Sequence, residues 1–206
     1  IEVHTDTEAT SVDCQRREIR VRDVRSGEIR TERYDVLVLA PGAAPIRPPL
    51  PGVDLPGVFA VRDIPDSRRI RSWIADRHAT TAVVVGGGFI GLEMVENLVH
   101  RGLEVTVLER LPQLMPALDP EMAAPIREHL AALGVALHLG DGLARIDPNA
   151  AGGLTVVSEH GARLPADFVI LAIGVRPETG LAKDAGLDIG ARGGIVVNGQ
   201  MRTSDP

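Results

Sequence analysis

The chain has 206 residues, of which 44% are apolar and 24% charged, the balance of an ordinary soluble globular protein with room for one α/β domain and part of another. Its net charge of −6 is an acidic surplus where a duplex nucleic-acid binder needs a clustered basic surface, and 2% aromatics are too few for a base-stacking platform. No apolar run approaches the roughly 18 residues of a membrane-spanning helix.

The first residues, Ile1-Glu2-Val3-His4, show neither the basic n-region nor the hydrophobic h-region of a signal peptide, and no initiator Met. They read as a strand entered midway, and the chain as a fragment of a longer protein. Residues 1–40 look like a β-meander, with alternation at Thr10–Val12 and Glu18–Val21, a turn at Ser26-Gly27 and a return over Glu28–Thr31. Cys14 lies where a strand edge meets a turn. Arg16 and Arg17 would lower its pKa in a functional reading, but without a His partner the thiol reads better as incidental. A lone thiol fits a reducing, cytoplasmic setting. Residues 34–40 form a continuous apolar run, read as a strand buried on both faces and ending at Pro41-Gly42. The stretch 41–57 holds six prolines and three glycines and reads as a linker.

A helix is expected over 64–78, its apolar positions at Ile70, Trp73 and Ile74 and its start marked by Pro65-Asp66-Ser67. Arg68, Arg69 and Arg71 fall on it as a solvated face. Residues 81–85 read as a buried parallel strand. A helix follows from about Ile90 to Arg101, with apolar positions at Ile90, Met94, Val95 and Leu98 and Gly102 closing it. The next buried strand covers 103–108, which completes a βαβ unit. A further helix starts with Asp119 as N-cap and Pro120 at the first position, and Pro125 inside it implies a kink or a late start. Residues 135–139 read as a strand, 143–166 as a second antiparallel meander, and 167–174 as a buried strand ending in glycine. This last run echoes 35–42: Asp, an apolar run, then Ala-X-Gly. Internal duplication of a dinucleotide-binding domain is the simplest account, and chance likeness of two buried strands is the other.

The run Gly86-Gly87-Gly88-Phe89-Ile90-Gly91 satisfies G-x-G-x-x-G directly after a strand, at the opening of a helix and inside a βαβ unit, the context that gives the motif meaning. Gly86 allows the tight turn, Gly88 lets backbone N–H groups reach a pyrophosphate, and Gly91 lets helix and strand pack closely. Glu109 ends the second strand about twenty residues on, where a carboxylate accepts ribose hydroxyls and disfavours a 2′-phosphate. NAD(H) is therefore expected over NADP(H), with adjacent Arg110 able to soften the preference. Glu93, early in the helix, either faces the reacting rings or stabilises the helix N-terminus. No P-loop, H-E-x-x-H, paired C-x-x-C or G-x-S-x-G is present, and the six histidines show no metal-ligand spacing.

With these residues in view, the chain resembles the pyridine-nucleotide flavoprotein disulfide reductase superfamily over essentially its whole length. Residues 36–45 are similar to the segment that closes the first FAD-domain portion, usually Ala-Thr-Gly but here Ala40-Pro41-Gly42. Residues 83–97 are similar to its NAD motif, and 166–177 to its strand returning toward the FAD domain. Gly88–Met94 and Gln113–Met122 resemble the branch of coenzyme A-disulfide reductases, NADH-dependent persulfide reductases and NADH oxidases. The resemblance implies an α/β fold: a Rossmann-like NAD-binding domain with a central parallel sheet and an antiparallel meander, plus partial FAD-domain segments. It implies a partial FAD-binding domain over 1–56, an NAD(H)-binding domain over 57–174 and a return segment over 175–206. By position, Gly86, Gly87, Gly88, Phe89, Ile90 and Gly91 would meet NAD, with Glu109 and Arg110 at the adenosine ribose and Ile173 and Gly174 beside the nicotinamide half. Phe89 matches an aromatic position that covers the flavin in such enzymes. Ala9, Ala40, Pro41 and Gly42 would touch FAD.

The implied activity is transfer of hydride from NADH to flavin and on to a small-molecule disulfide, persulfide or oxygen acceptor, in a homodimer that contacts neither nucleic acid nor membrane. No catalytic residue and no metal site is expected in this chain: Cys14 does not match the family's redox cysteine, which is expected upstream. Two other readings stand beside it, an NADH–ferredoxin or rubredoxin reductase of the same fold and a non-catalytic NAD(H)-sensing module.

Overall fold

The computed structural model describes residues 1–205; Pro206, the last residue of the expected return segment, lies outside the described residues. Two contact-dense units emerge, one of Pro45–Val175 and one of Ile1–Ala44 with the chain from Arg176 onward. The chain changes unit within two short strands, β4 (Ala43–Pro45) and β13 (Val175–Pro177).

In the larger unit, β5 (Val58–Ala60), β6 (Thr81–Val85), β7 (Glu104–Glu109), β8 (Ala136–Leu139) and β12 (Phe168–Leu171) form one sheet in the order β5-β12-β6-β7-β8. Every neighbouring pair is parallel. The helices α1 (Ile64–Arg77), α2 (Phe89–His100) and α3 (Pro120–Ala132) supply crossovers. An antiparallel meander of β9 (Leu143–Pro148), β10 (Leu154–Ser158) and β11 (Arg163–Ala166) completes the unit. This is the Rossmann-like α/β architecture with a meander that the sequence implies.

The valine-rich strand β6 shows why three layers form. Its side chains alternate between faces: Ala82 and Val84 join a cluster with Ile70, Val95, Leu98 and Leu130 of the helices, while Val83 and Val85 join one with Ile146, Leu154, Val156 and Leu164 of the meander. Val83 and Val84 are wholly buried, each worth roughly 1.5–3 kcal/mol of hydrophobic burial. Helix α1 starts in a capping box in which Asp63 accepts from the Asp66 N–H and Asp66 accepts in return, and Arg77 stacks 4.0 Å over the Trp73 ring. In α2 the buried residues are Gly91, Val95 and Leu98; Val95 and Leu98 are as expected, whereas Ile90 is exposed and Met94 half-buried, since Gly91 rather than Ile90 packs on the strand. Helix α3 starts at Pro120 with Pro125 inside it, and the Asp119 side chain makes no capping bond. Its first turn is held instead by the Asp119 carbonyl, which accepts from Ala123 at 3.0 Å.

The smaller unit holds the antiparallel sheet β1 (Thr7–Asp13), β2 (Glu18–Asp23) and β3 (Ile29–Arg33), and the short helix α4 (Gly180–Asp184). Residues 34–40 are not the doubly buried strand expected: they form no strand, and Val36 and Val38 are each 82% exposed. A buried strand needs neighbours on both edges, and among the described residues 34–40 pair with no strand. The echo with 167–174 therefore fails over the apolar run, which is strand β12 in one copy only. It survives at the run's end, where Gly42 and Gly174 both take positive φ (77° and 106°) before a short strand. Among the described residues, no helix is long and apolar enough to cross a membrane, and no group of three or more His, Cys, Asp or Glu is placed to hold a metal ion.

Candidate functional site

At the C-terminal edge of the parallel sheet, where α/β sheets bind ligands, a cleft of about 660 Å³ opens within the larger unit. It lies between the β6–α2 loop, the end of β7, the loop before β9 and the residues following β12.

The glycine loop forms its floor. Gly86 turns the chain at φ +109°, and a Cβ there would lie 2.4 Å from the Ala172 carbonyl oxygen. A Cβ on Gly91 would lie 2.0 Å from the Gly86 carbonyl oxygen, so only glycine lets α2 start this close to β6. Gly88 differs: it is the N-cap of α2, and a Cβ there would meet nothing within 4 Å. As N-cap, Gly88 precedes the first turn of α2, whose N–H groups find no partner within the helix, an arrangement suited to an anion.

Glu109, at the tip of β7, is 8% exposed and still lines the cleft. Its Oε2 accepts the Gly87 N–H at 2.6 Å and its Oε1 the Leu111 N–H at 2.8 Å. A carboxylate has about four acceptor sites, so each oxygen keeps one free for a ligand hydroxyl. The Gly87 carbonyl in turn accepts the Met115 N–H at 2.8 Å, which ties the loop to the 113–122 stretch. Met115 takes φ +49° to make that contact.

Gly142 lines the cleft from the loop before β9, and its neighbour Asp141 ties that loop in place. The Asp141 N–H donates to the Glu109 carbonyl at 3.1 Å, and the Asp141 carboxylate accepts the His160 N–H at 3.0 Å. Burial pushes the Asp141 carboxyl up, but the Ser158 hydroxyl and His160 outweigh it and hold the group below the usual carboxylate range. The loop stays anionic and clamped at neutral pH.

The pattern of pyridine nucleotide-disulphide oxidoreductases matches the whole chain, residues 1–206. The chain belongs to this family. It is 41% identical to a curated NADH oxidase of Methanocaldococcus jannaschii over 207 residues, covering 100% of this chain and 45% of that one. Among solved structures, the reduced CoADR-RHD of Bacillus anthracis superposes with a TM-score of 0.92 at 43% identity, over 97% of this chain and 36% of that one. The NAD-dependent persulfide reductase of A. fulgidus gives a TM-score of 0.92 at 38% identity, over 100% and 37%. The chain thus spans less than half the length of these relatives.

For a member of this pyridine nucleotide-disulphide oxidoreductase family, the cleft gathers most of the positions singled out in sequence. Gly86, Gly88, Phe89, Ile90, Glu109, Arg110, Ile173 and Gly174 line it. Gly87 and Gly91 sit buried behind them. Glu93 does not join: it is exposed on α2, outside the lining, and its backbone carbonyl accepts the Asn97 side chain at 2.8 Å. Ala9, Ala40, Pro41 and Gly42 belong to the smaller unit and line neither described cleft. Ala40 and Gly42 are exposed, and none of the four offers a charged or hydrogen-bonding side chain. These positions alone do not make a flavin site.

Sequence reading missed Pro48, Leu50, Gly142, Leu143 and Glu159, all of which line the cleft. Pro48, Leu50, Gly142 and Glu159 sit in loops and turns and Leu143 opens β9; the fold brings them together, and none carries a local motif.

Proposed function

We propose that this chain is the NAD(H)-binding portion of an FAD-dependent oxidoreductase, in which NADH would give hydride to flavin and the electron pair would go on to a disulfide, persulfide or related acceptor. The observation that carries the reading is the pairing of an open, Cβ-free cradle at Gly88 with a buried, cleft-lining carboxylate at Glu109 whose oxygens keep unfilled acceptor sites. A volume of about 660 Å³ falls within the usual range of cofactor clefts, about 300–1,000 Å³.

In this reading the α2 N-terminus holds the pyrophosphate with its free N–H groups and dipole. The free acceptor sites of Glu109 take the adenosine ribose hydroxyls, which favours NADH over NADPH because a 2′-phosphate would face that carboxylate. Phe89, 68% exposed at the first position of α2, and Ile173 and Gly174 flank the nicotinamide half. Bound NADH supplies the hydride, and the chain's residues position it and keep one face of the cleft apolar through Leu108 and Leu143. A reducing, cytoplasmic setting is part of the proposal and rests on the single cysteine.

Calorimetric titration of the chain with NADH and NADPH tests it. Saturable NADH binding with weaker NADPH binding is expected. Absence of NADH binding would remove the assignment, and a clear preference for NADPH would remove the role given to Glu109.

A further inference from the structure

The adenosine rim carries a second carboxylate that the glycine loop does not use. Glu159, in the β10–β11 turn, lines the cleft beside Glu109 and Arg110. Its Oε1 lies 3.8 Å from a terminal guanidinium nitrogen of Arg110. Among the described residues, Arg110 is the only Arg or Lys lining this cleft. An Arg next to the acidic residue at this strand end is the group that accommodates the 2′-phosphate of NADP(H).

The position of Glu159 is built into the fold. Gly142 is buried, and a Cβ on it would lie 2.6 Å from Glu159 Oε2 and 2.7 Å from its carboxyl carbon, so the carboxylate rests where only glycine leaves room. The Glu159 N–H donates to the Gly142 carbonyl at 2.8 Å, and the Asp141 N–H donates to the Glu109 carbonyl at 3.1 Å. The turn bearing Glu159 is therefore clamped to the loop, and the loop to the strand end bearing Glu109 and Arg110.

We propose that Glu159 is a specificity-determining positioning residue: its ion pair with Arg110 withholds that cation from a 2′-phosphate and so makes the cleft selective for NAD(H). This rests on the nucleotide reading of the cleft given above. The charges of Glu109, Arg110 and Glu159 leave the rim one unit negative, and removing Glu159 brings it to neutrality while freeing the guanidinium. An exposed ion pair shifts an equilibrium by no more than about fivefold, which sets the size of the effect.

The experiment is calorimetric titration of the full chain and its variants with NADH and NADPH at low ionic strength. Glu159→Gln is expected to tighten NADPH binding about three- to fivefold and to change NADH binding less than about twofold. Gly142→Ala, which displaces the carboxylate without altering charge, is expected to move the NADPH/NADH ratio in the same direction. The gain is expected to vanish in the Glu159→Gln, Arg110→Ala double variant. An unchanged ratio in Glu159→Gln, or a gain that persists without Arg110, overturns the proposal while leaving the nucleotide site intact. Failure of the unsubstituted chain to bind NADH overturns the nucleotide reading and this proposal with it.

Discussion

The Glu109 carboxylate accepts the backbone N–H of Gly87 at 2.6 Å, so the residue expected to hold the ribose also holds the loop expected to hold the pyrophosphate. In the proposed nucleotide site, ligand and fold would share one side chain. Glu109→Gln keeps the shape but turns one acceptor oxygen into a donor facing a donor. A buried charged group that loses such a bond costs about 2 kcal/mol. We expect Glu109→Gln to lower the stability of the chain by roughly that amount, read from urea unfolding, and to weaken NADH binding by about tenfold or more, read by calorimetry. A variant with full stability and unchanged NADH affinity would show that Glu109 does neither job.

Two glycines of the same motif separate binding from folding. A Cβ on Gly91 would sit 2.0 Å from the Gly86 carbonyl oxygen, which is backbone and cannot swing aside. Gly91→Ala must push α2 off β6, and a loss of about 2–4 kcal/mol in unfolding free energy is expected. Gly88 has φ −86° and empty space before it, so Gly88→Ala is expected to fold with stability within about 1 kcal/mol of the parent chain. Its methyl group would project where a pyrophosphate has to approach, and NADH affinity is expected to fall. Thermal unfolding and NADH titration of the two variants should give opposite patterns.

The parts of this molecule legible in sequence are those whose signal is local. The loop at 86–91, flanked by the β6 valines and an acidic strand end, marks within about 25 residues where the cleft lies, and the turns of the 143–166 meander fix its three strands. Two misreadings have physical causes. At the start of α2, apolar counting assigns Ile90 rather than Gly91 to the buried face, because it gives Ile90 weight and Gly91 none, although the absent side chain at Gly91 is what packs. Residues 34–40 read as a buried strand because composition describes the segment alone, whereas a strand is defined by its neighbours. Glu159 and Gly142 could not be found at all: they lie 50 and 33 residues beyond Glu109 in the chain and meet it only when the meander folds over the sheet.

Asp167 gives the fold a defined acid sensitivity. Its Oδ2 accepts the N–H groups of Thr80 and Thr81 at 2.7 and 2.9 Å and the Thr81 hydroxyl at 3.0 Å, joining the starts of β6 and β12. Burial pushes this carboxyl up, but those donors outweigh it and hold it below its ordinary value of 3.8. A carboxyl with a depressed folded-state pKa contributes stability that is complete above the unfolded value and is lost as pH falls through the folded one. Urea midpoints should therefore be flat from pH 7 down to about 5 with respect to this group and drop below about pH 4. In Asp167→Asn the neutral-pH stability is expected to be lower and the acid drop shallower. An equally steep drop would assign the acid limb to other carboxyls, such as Asp66.

Cys14 is expected to be chemically quiet, contrary to what its two neighbouring arginines suggest. The Arg16 guanidinium is drawn to Asp13, at 3.9 Å, rather than to the thiol. The Sγ lies half-buried, 3.9 Å from the Ala185 carbonyl oxygen. Burial pushes the thiol above its ordinary value of 9.0, the Asp205 carboxylate adds to the rise, and the Tyr34 hydroxyl only partly opposes it. Since the thiolate is the nucleophile, a raised pKa leaves less of it at pH 8. Alkylation of Cys14 by iodoacetamide should run slower than that of free cysteine at pH 8 and rise steeply only at higher pH. NADH affinity of Cys14→Ser should stay within about twofold of the parent, because Cys14 is not among the residues that line the cleft. Fast alkylation at neutral pH would instead mark an activated thiol, and the electrostatics drawn for this turn would be wrong.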